Sequence, residues 1–291
     1  MSGVILFEDP EYPRLLKEVP NAPKELYYKG KWDSVLFDKC LAVVGSRRMS
    51  RYGSFATTKL VTELAQAGVT IVSGFMYGVD ATAHVACVQA GGKTIAVMPC
   101  GIESVHPQCQ LELYNSILNA GGLALSETSG YMDPKPWTFP KRNRIVAGLC
   151  SAVLVVEAGE NSGSLITANF AKKFGRKVFA VPGNIDMEMS VGTLQLIKEG
   201  AKPVVCAFDI IEELDWADRY AGVSKPVVEL DKSSDTGIES QIVELLKVDP
   251  LNLNDLINLL SCFSITQISS ALSVLLLRGQ VFERGGTFYV S

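Results

Sequence analysis

The strongest constraint on this chain is a set of seven short apolar runs separated by segments of helical spacing. The runs are Leu41–Val44, Val69–Ser73, Thr94–Met98, Leu123–Ser126, Ala152–Glu157, Val178–Val181 and Pro203–Cys206. Several are rich in β-branched residues and lack polar alternation, the composition of strands covered on both faces. Between them lie apolar residues at helical spacing over Phe55–Ala67, Asp80–Ala90, Leu111–Ala120 and Leu165–Phe174, with Gly68 and Gly175 placed to end the first and last of these helices. Such alternation predicts an α/β fold with an open, doubly wound, mostly parallel sheet. Its ligand belongs beyond the carboxyl ends of the strands, where the strand order reverses.

One of those ends is unusual. After Ser151–Glu157 comes Gly159-Glu-Asn-Ser-Gly-Ser164, a loop of small residues and hydroxyls that opens a helix. A helix beginning at Ser162-Gly163-Ser164, with Thr167 in its first turn, directs unpaired N–H groups and a positive dipole end toward an anion such as phosphate. The same hydroxyls also suit an ordinary helix cap, with Ser164 in that role. Charge separates the two readings. From Phe139 to Arg176 six bases face two acids, and Arg47, Arg48 and Arg51 form a second island, within a chain of net charge −4. Two cationic islands in an otherwise acidic protein predict a polyanion track.

Other chemistries are excluded by the same positions. The turn Gly45-Ser-Arg-Arg-Met-Ser-Arg-Tyr-Gly53 is not a G-x-G-x-x-G dinucleotide fingerprint, and the Gly159–Ser164 loop has no lysine to reach terminal phosphates, so ATP hydrolysis is not expected. Seven scattered cysteines form no C-x-x-C pair, and the chain has only two histidines, His84 and His106. No metal and no cofactor are expected, and the thiols read as reduced. No apolar run reaches the roughly 18 residues of a membrane span, and Glu8 and Asp9 interrupt what a signal peptide would keep apolar. A cytoplasmic protein is expected.

The ends of the chain read differently from its centre. Residues 1–34 carry proline and aromatic punctuation and suggest an extension packing on the main domain, residues 35–220. Residues 221–237 are polar and aperiodic, a linker. Residues 238–291 read as three short helices followed by two strands around Gly285-Gly286, a winged-helix pattern. Its third helix carries one positive charge, Arg278, and the segment has five acids and three bases, so a protein contact suits it better than a DNA groove.

Taken in order, a set of motifs resembles the DprA/Smf family of DNA-processing proteins. These are Val43-Val-Gly-Ser-Arg47 with Ser50 and Tyr52-Gly53; Ser73-Gly74 with Gly78-Val-Asp80 and Ala83-His84; and Phe139-Pro-Lys-Arg-Asn-Arg144 with Gly148-Leu149. Ser162-Gly-Ser-Leu-Ile-Thr-Ala168, Val181-Pro-Gly183, Gly192-Thr193 and Gly200-Ala201 follow. The resemblance implies an extended Rossmann-like domain that binds single-stranded DNA, forms a homodimer and helps load the RecA recombinase in natural transformation. It further implies that Gly45, Ser46, Arg47, Phe139, Lys141, Arg142, Asn143 and Arg144 line the DNA pocket. The sequence departs from the family pattern at Phe75-Met76-Tyr77, Val105-His106-Pro107 and Leu194.

Individual roles follow from chemistry. Arg47 reads as a surface charge or as a phosphate contact, and the resemblance implies the phosphate contact. Lys141, Arg142 and Arg144 cannot share one helix face, so one or two should meet phosphates and one should pair with Glu157 or Glu127. Phe139 is either a core plug or a stacking platform, and His84 a packed histidine. No catalytic residue is assigned. The rival reading is a nucleotide-processing enzyme of the phosphoribohydrolase type acting on nucleoside monophosphates, with Glu127 or Glu157 as acid or base and Arg47 on a 5′-phosphate; the chain lacks the Pro-Gly-Gly-x-Gly-Thr loop of that group.

Overall fold

The structure is a computed structural model that describes residues 2–216, 238–260 and 263–290. The linker expected over 221–237, and Cys262, lie outside the described residues. Two compact units are present.

The first unit is built on a nine-stranded sheet: β1 Ser2–Leu6, β2 Glu25–Gly30, β3 Cys40–Val44, β4 Thr70–Ser73, β5 Thr94–Val97, β6 Leu123–Ser126, β7 Ala152–Val155, β8 Lys177–Ala180 and β9 Lys202–Pro203. The spatial order is β1-β2-β6-β5-β4-β3-β7-β8-β9. All seven runs read from the sequence pair in parallel. The chain winds outward from β3 to β6, then restarts on the other side of β3 with β7. That reversal lies between two strands in register, Val44 opposite Val155.

Residues 1–34 are more than a packed extension. Strand β1 pairs antiparallel with β2, and β2 pairs antiparallel with β6, so both extend the sheet. The sequence hid them because these two antiparallel strands at one side of the sheet are covered less completely than the parallel ones. Only Ile5 is buried in β1 and only Leu26 in β2; β2 has no apolar run, and the run Val4–Phe7 that β1 opens is largely uncovered, with Val4 and Leu6 exposed.

Helices cover both faces. They are α1 Arg14–Lys17, α2 Arg51–Gln66, α3 Val79–Gln89, α4 Leu111–Asn119, α5 Thr138–Gly148, α6 Gly163–Lys173, α7 Val191–Lys198 and α8 Ala207–Glu213. One core joins Leu16, Ile145, Ala168, Ala171 and Leu196 to Ala42, Val44, Val153 and Val155. On the opposite face Leu60, Leu64, Val79, Ala83 and Ile210 pack on Leu41, Val43 and Leu154. Successive strand residues thus feed alternate cores, which is why these strands must be apolar throughout. Helix α6 closes as expected at Gly175: φ is +67°, and the Gly175 and Arg176 N–H groups return to the carbonyls of Lys172 and Ala171 at 3.1 and 2.9 Å.

The second unit comprises α9 Ile238–Val248, α10 Leu253–Leu259 and α11 Ile265–Leu277 with a three-stranded antiparallel sheet of β10 Leu251–Asn252, β11 Val281–Arg284 and β12 Thr287–Val290. Its own core gathers Ile242, Leu246, Leu256, Ile268, Leu272, Val281 and Phe288. Among the described residues no helix is long and apolar enough to cross a membrane.

Candidate nucleic-acid interface

At the reversal between β3 and β7 the sheet opens into a cleft of about 760 Å³. Its walls come from the turn after β3, the start of α5 and the start of α6. Strand β3 ends at Val44, and the next turn is fixed on three sides. The Ser46 N–H donates to the Glu157 carbonyl at 2.8 Å, the Ser46 carbonyl accepts from Val79 N–H at 3.2 Å, and the Ser46 hydroxyl accepts from Arg48 N–H at 3.0 Å. Gly45 is required there, since a Cβ would lie 2.5 Å from Val79 Cγ2 and 3.0 Å from the Glu157 carbonyl. A turn so fixed presents Arg47 and Arg48, both exposed, at the cleft mouth. Neither they nor Arg51 form an ion pair among the described residues.

Phe139 is half-buried in the cleft wall and so is not a core plug; its ring lines the cleft. The Arg47 guanidinium lies 5.0 Å from its ring centre, and the His106 ring meets it edge-on at 6.0 Å. This is an aromatic surface already holding one cation. Facing it, α6 begins with Ser162 as its cap: the Ser162 hydroxyl accepts from Ser164 N–H at 3.4 Å and lies 2.8 Å from the Ser164 hydroxyl. The cap is therefore Ser162 and not Ser164, which sits inside the first turn. Ser162, Gly163, Ser164 and Thr167 all line the cleft, and nothing stands within 4 Å of where a Gly163 Cβ would point.

The basic segment on α5 divides differently from expectation. Arg142 is buried in the cleft floor and donates to the carbonyls of Gly74 and Val97. Burial lowers its pKa to about 10, with Asp80 opposing the shift; burial raises the pKa of Asp80, with Arg142 opposing. Arg144 is also buried and reaches Glu127 at 2.5 Å, while Lys141 pairs with the same carboxylate at 3.1 Å from a half-exposed position. Two bases thus converge on Glu127 where one was expected. Neither Lys141 nor Arg144 lines the cleft. Asn143 does, donating to the Gly163 carbonyl at 3.3 Å and so tying α5 to the start of α6.

Glu157 is also committed. Its carboxylate accepts from the Ser50 N–H at 2.8 Å and the Ser50 hydroxyl at 2.5 Å, beneath the start of α2. The two carboxylates that an enzymatic reading would use as acid or base are therefore held by structural partners.

Sequence reasoning did not assign Arg48, Gly74, Asp80 and Met189 to the cleft. Gly74 and Asp80 lay within the family motifs, and Arg48 within the second cationic island. Met189 carried no signal, because its place depends on a chain reversal: its carbonyl accepts from Ala158 N–H at 2.8 Å, and its sulfur accepts from the Ser46 hydroxyl at 3.3 Å.

The sequence profile of the family described as DNA recombination-mediator protein A matches residues 3–215. The chain belongs to this DprA/Smf family. DNA processing protein DprA of Streptococcus pneumoniae is 44% identical over 205 residues, covering 70% of this chain and 72% of that protein. Protein Smf of Synechocystis is 41% identical over 210 residues, 71% of this chain and 52% of the relative, so the match spans about half of that protein's length. Among solved structures, DprA from Streptococcus pneumoniae aligns with a TM-score of 0.68 at 42% identity, covering 72% of this chain and 74% of that one. DNA processing protein A from Helicobacter pylori, whose structure is described as giving insight into a single-stranded DNA binding mode, aligns with a TM-score of 0.65 at 30% identity, covering 74% and 95%.

Proposed function

We propose that this protein binds single-stranded DNA, largely without sequence preference, in the cleft at the β3/β7 reversal. The observation that carries the reading is the meeting of two arginines, Arg47 and Arg48, with the N-terminal turn of α6 across one cleft. Guanidinium groups and helix N–H groups hold a phosphate backbone without reading bases, and an aromatic wall such as Phe139 accepts any base face. The single-stranded DNA binding mode described for the Helicobacter pylori relative supports the same ligand class. We extend the proposal to protection of the strand and RecA loading by a homodimer in the cytoplasm during DNA uptake or recombination, on the family relationship alone.

Two rivals fare worse. Glu157 and Glu127 are engaged by Ser50, Lys141 and Arg144, which leaves a phosphoribohydrolase without its acid and base. In the second unit Arg278, the base at the end of α11, pairs with Glu239 at 2.7 Å, which weakens a duplex-binding role and favours a protein contact. The test is a salt series with fluorescent oligo-dT and its duplex. Salt-sensitive, single-strand-preferring binding, lost in Arg47→Ala/Arg48→Ala, is expected. Equal affinity of that variant and the wild type would overturn the cleft assignment, and release of free base from nucleoside monophosphates would restore the enzymatic one.

A further inference from the structure

Helix α2 leaves the cleft mouth with two faces of opposite character. Gly53, Ala56, Thr57, Leu60, Val61, Leu64 and Ala65 are buried. On the other side Arg51, Tyr52, Phe55 and Lys59 are all exposed, at the three- and four-residue spacings that align side chains along one helical stripe. Phe55 is 65% exposed and Tyr52 48%. Arg48, which lines the cleft, precedes Arg51 by three residues, so the stripe begins close to the cleft mouth.

Charge gives the stripe its sign. From Gly45 to Thr62 the chain holds Arg47, Arg48, Arg51 and Lys59 and no acid. Two carboxylates approach from nearby, and both are occupied. Glu157 lies buried under Gly53 and is held by Ser50, while Glu63 accepts from Ala207 N–H at 3.3 Å. Arg51 and Lys59 form no ion pair among the described residues. The Tyr52 hydroxyl donates to the Pro182 carbonyl at 2.8 Å, which fixes its ring at the mouth end of the stripe.

We infer that the exposed face of α2 is a second segment of the single-stranded DNA track, receiving the strand as it leaves the cleft, with Arg51 and Lys59 on phosphates and Phe55 stacking a base. An aromatic bracketed by bases one helical turn to either side matches a polyanion whose apolar faces recur between its charges. A hydrophobic protein partner would not require the bases, and an acidic one would not require the ring. Arg51 and Lys59 are about 12 Å apart along the helix, so the segment serves strands longer than the cleft alone can hold. The inference rests on the single-stranded DNA reading of the cleft.

The test compares wild type, Arg47→Ala and Phe55→Ala/Lys59→Ala on oligo-dT of about six and about twenty nucleotides, one near the short end of common site sizes and one beyond their long end. Phe55→Ala/Lys59→Ala is expected to bind the short strand as wild type does and the long strand about fivefold or more weakly. A Phe55→Trp variant is expected to show fluorescence quenching beyond wild type with the long strand and none with the short. Unchanged long-strand affinity in Phe55→Ala/Lys59→Ala, with short-strand binding still lost in Arg47→Ala, overturns the track and leaves the cleft. Equal losses on both lengths overturn it as well, by making the stripe part of the cleft itself. Absence of short-strand binding by wild type removes the cleft reading and the track with it.

Discussion

The Arg142 guanidinium occupies the space that a side chain at Gly74 would need. A Cβ at residue 74 would lie 2.5 Å from Nη2 and 2.6 Å from Cζ, and the Gly74 carbonyl accepts from Nη1. The guanidinium cannot swing away, because it also bonds the Val97 carbonyl and balances the buried Asp80. Gly74→Ala is therefore expected to destabilise the first unit by about 1–3 kcal/mol through overpacking. Arg142→Leu, which leaves Asp80 buried without its counter-charge, should cost about 3–5 kcal/mol. Urea unfolding followed by near-ultraviolet circular dichroism measures both. Equal stability of Arg142→Leu and wild type would show that Asp80 does not depend on Arg142.

A second pair fixes the start of α2. Gly53 makes room for the Glu157 carboxylate, which would lie 2.2 Å from a Cβ at that position. The Ser50 hydroxyl donates to this carboxylate and accepts from Gly53 N–H at 3.1 Å. Glu157→Gln keeps the shape but weakens charge-assisted bonds to two Ser50 donors. It is expected to lower stability by about 1–3 kcal/mol while leaving the oligo-dT salt slope unchanged, since Glu157 does not line the cleft. A changed slope would mean that Glu157 acts on the ligand.

These pairs show where the sequence stopped being legible. The parallel strands could be read because a doubly covered strand must be apolar at every position, and Gly175 could be read because a left-handed helix end favours glycine over any side chain. The division of labour among Lys141, Arg142 and Arg144 could not. Helical spacing shows that they diverge but not which one meets the sheet, and the answer is set by Gly74, distant in the chain. Strands β1 and β2 escaped for a related reason: with one buried residue each, Ile5 and Leu26, they take their identity from the neighbours they pair with and not from an apolar run covered on both faces. That α6 opens at Ser162 was legible, but which of its hydroxyls, Ser162, Ser164 or Thr167, makes the cap is not resolved by hydroxyl content.

Arg47 and Lys141, adjacent in the resemblance, are expected to separate in solution. Arg47 faces the cleft unpaired with any carboxylate among the described residues, whereas Lys141 lies outside it, 3.1 Å from Glu127. Arg47→Ala should weaken oligo-dT binding and reduce the slope of log K against log salt by about 0.7, the value for one lost phosphate contact on a single strand. Lys141→Ala should reduce it by clearly less. Identical slope changes in the two variants would place Lys141 on the DNA path despite its ion pair.

Acid stability is expected to depend on His84, independently of DNA. His84 is fully buried on α3. The Thr94 hydroxyl donates to the Ile71 carbonyl at 2.8 Å, so at 2.7 Å from Nδ1 it accepts the imidazole proton. Nε2 is then a bare acceptor with no partner among the described residues, and the imidazole and Phe75 ring centres lie 5.8 Å apart. Burial, reinforced by the Arg142 charge, lowers the pKa of His84 from 6.5 to about 3. Between those values the unfolded chain binds a proton that the folded chain refuses, so stability is full above pH 6.5 and falls as pH drops toward 3. One proton corresponds to about 1.4 kcal/mol per pH unit. Wild type should therefore lose about 2–3 kcal/mol between pH 6.5 and pH 4.5 from this residue, a window above the ordinary range of most carboxylates. His84→Gln keeps a donor for Thr94 and cannot titrate, so its unfolding free energy should vary less with pH over that window by the same amount. Parallel pH profiles for the two proteins in urea titrations would show that His84 takes up its proton as readily in the folded protein as in the unfolded chain.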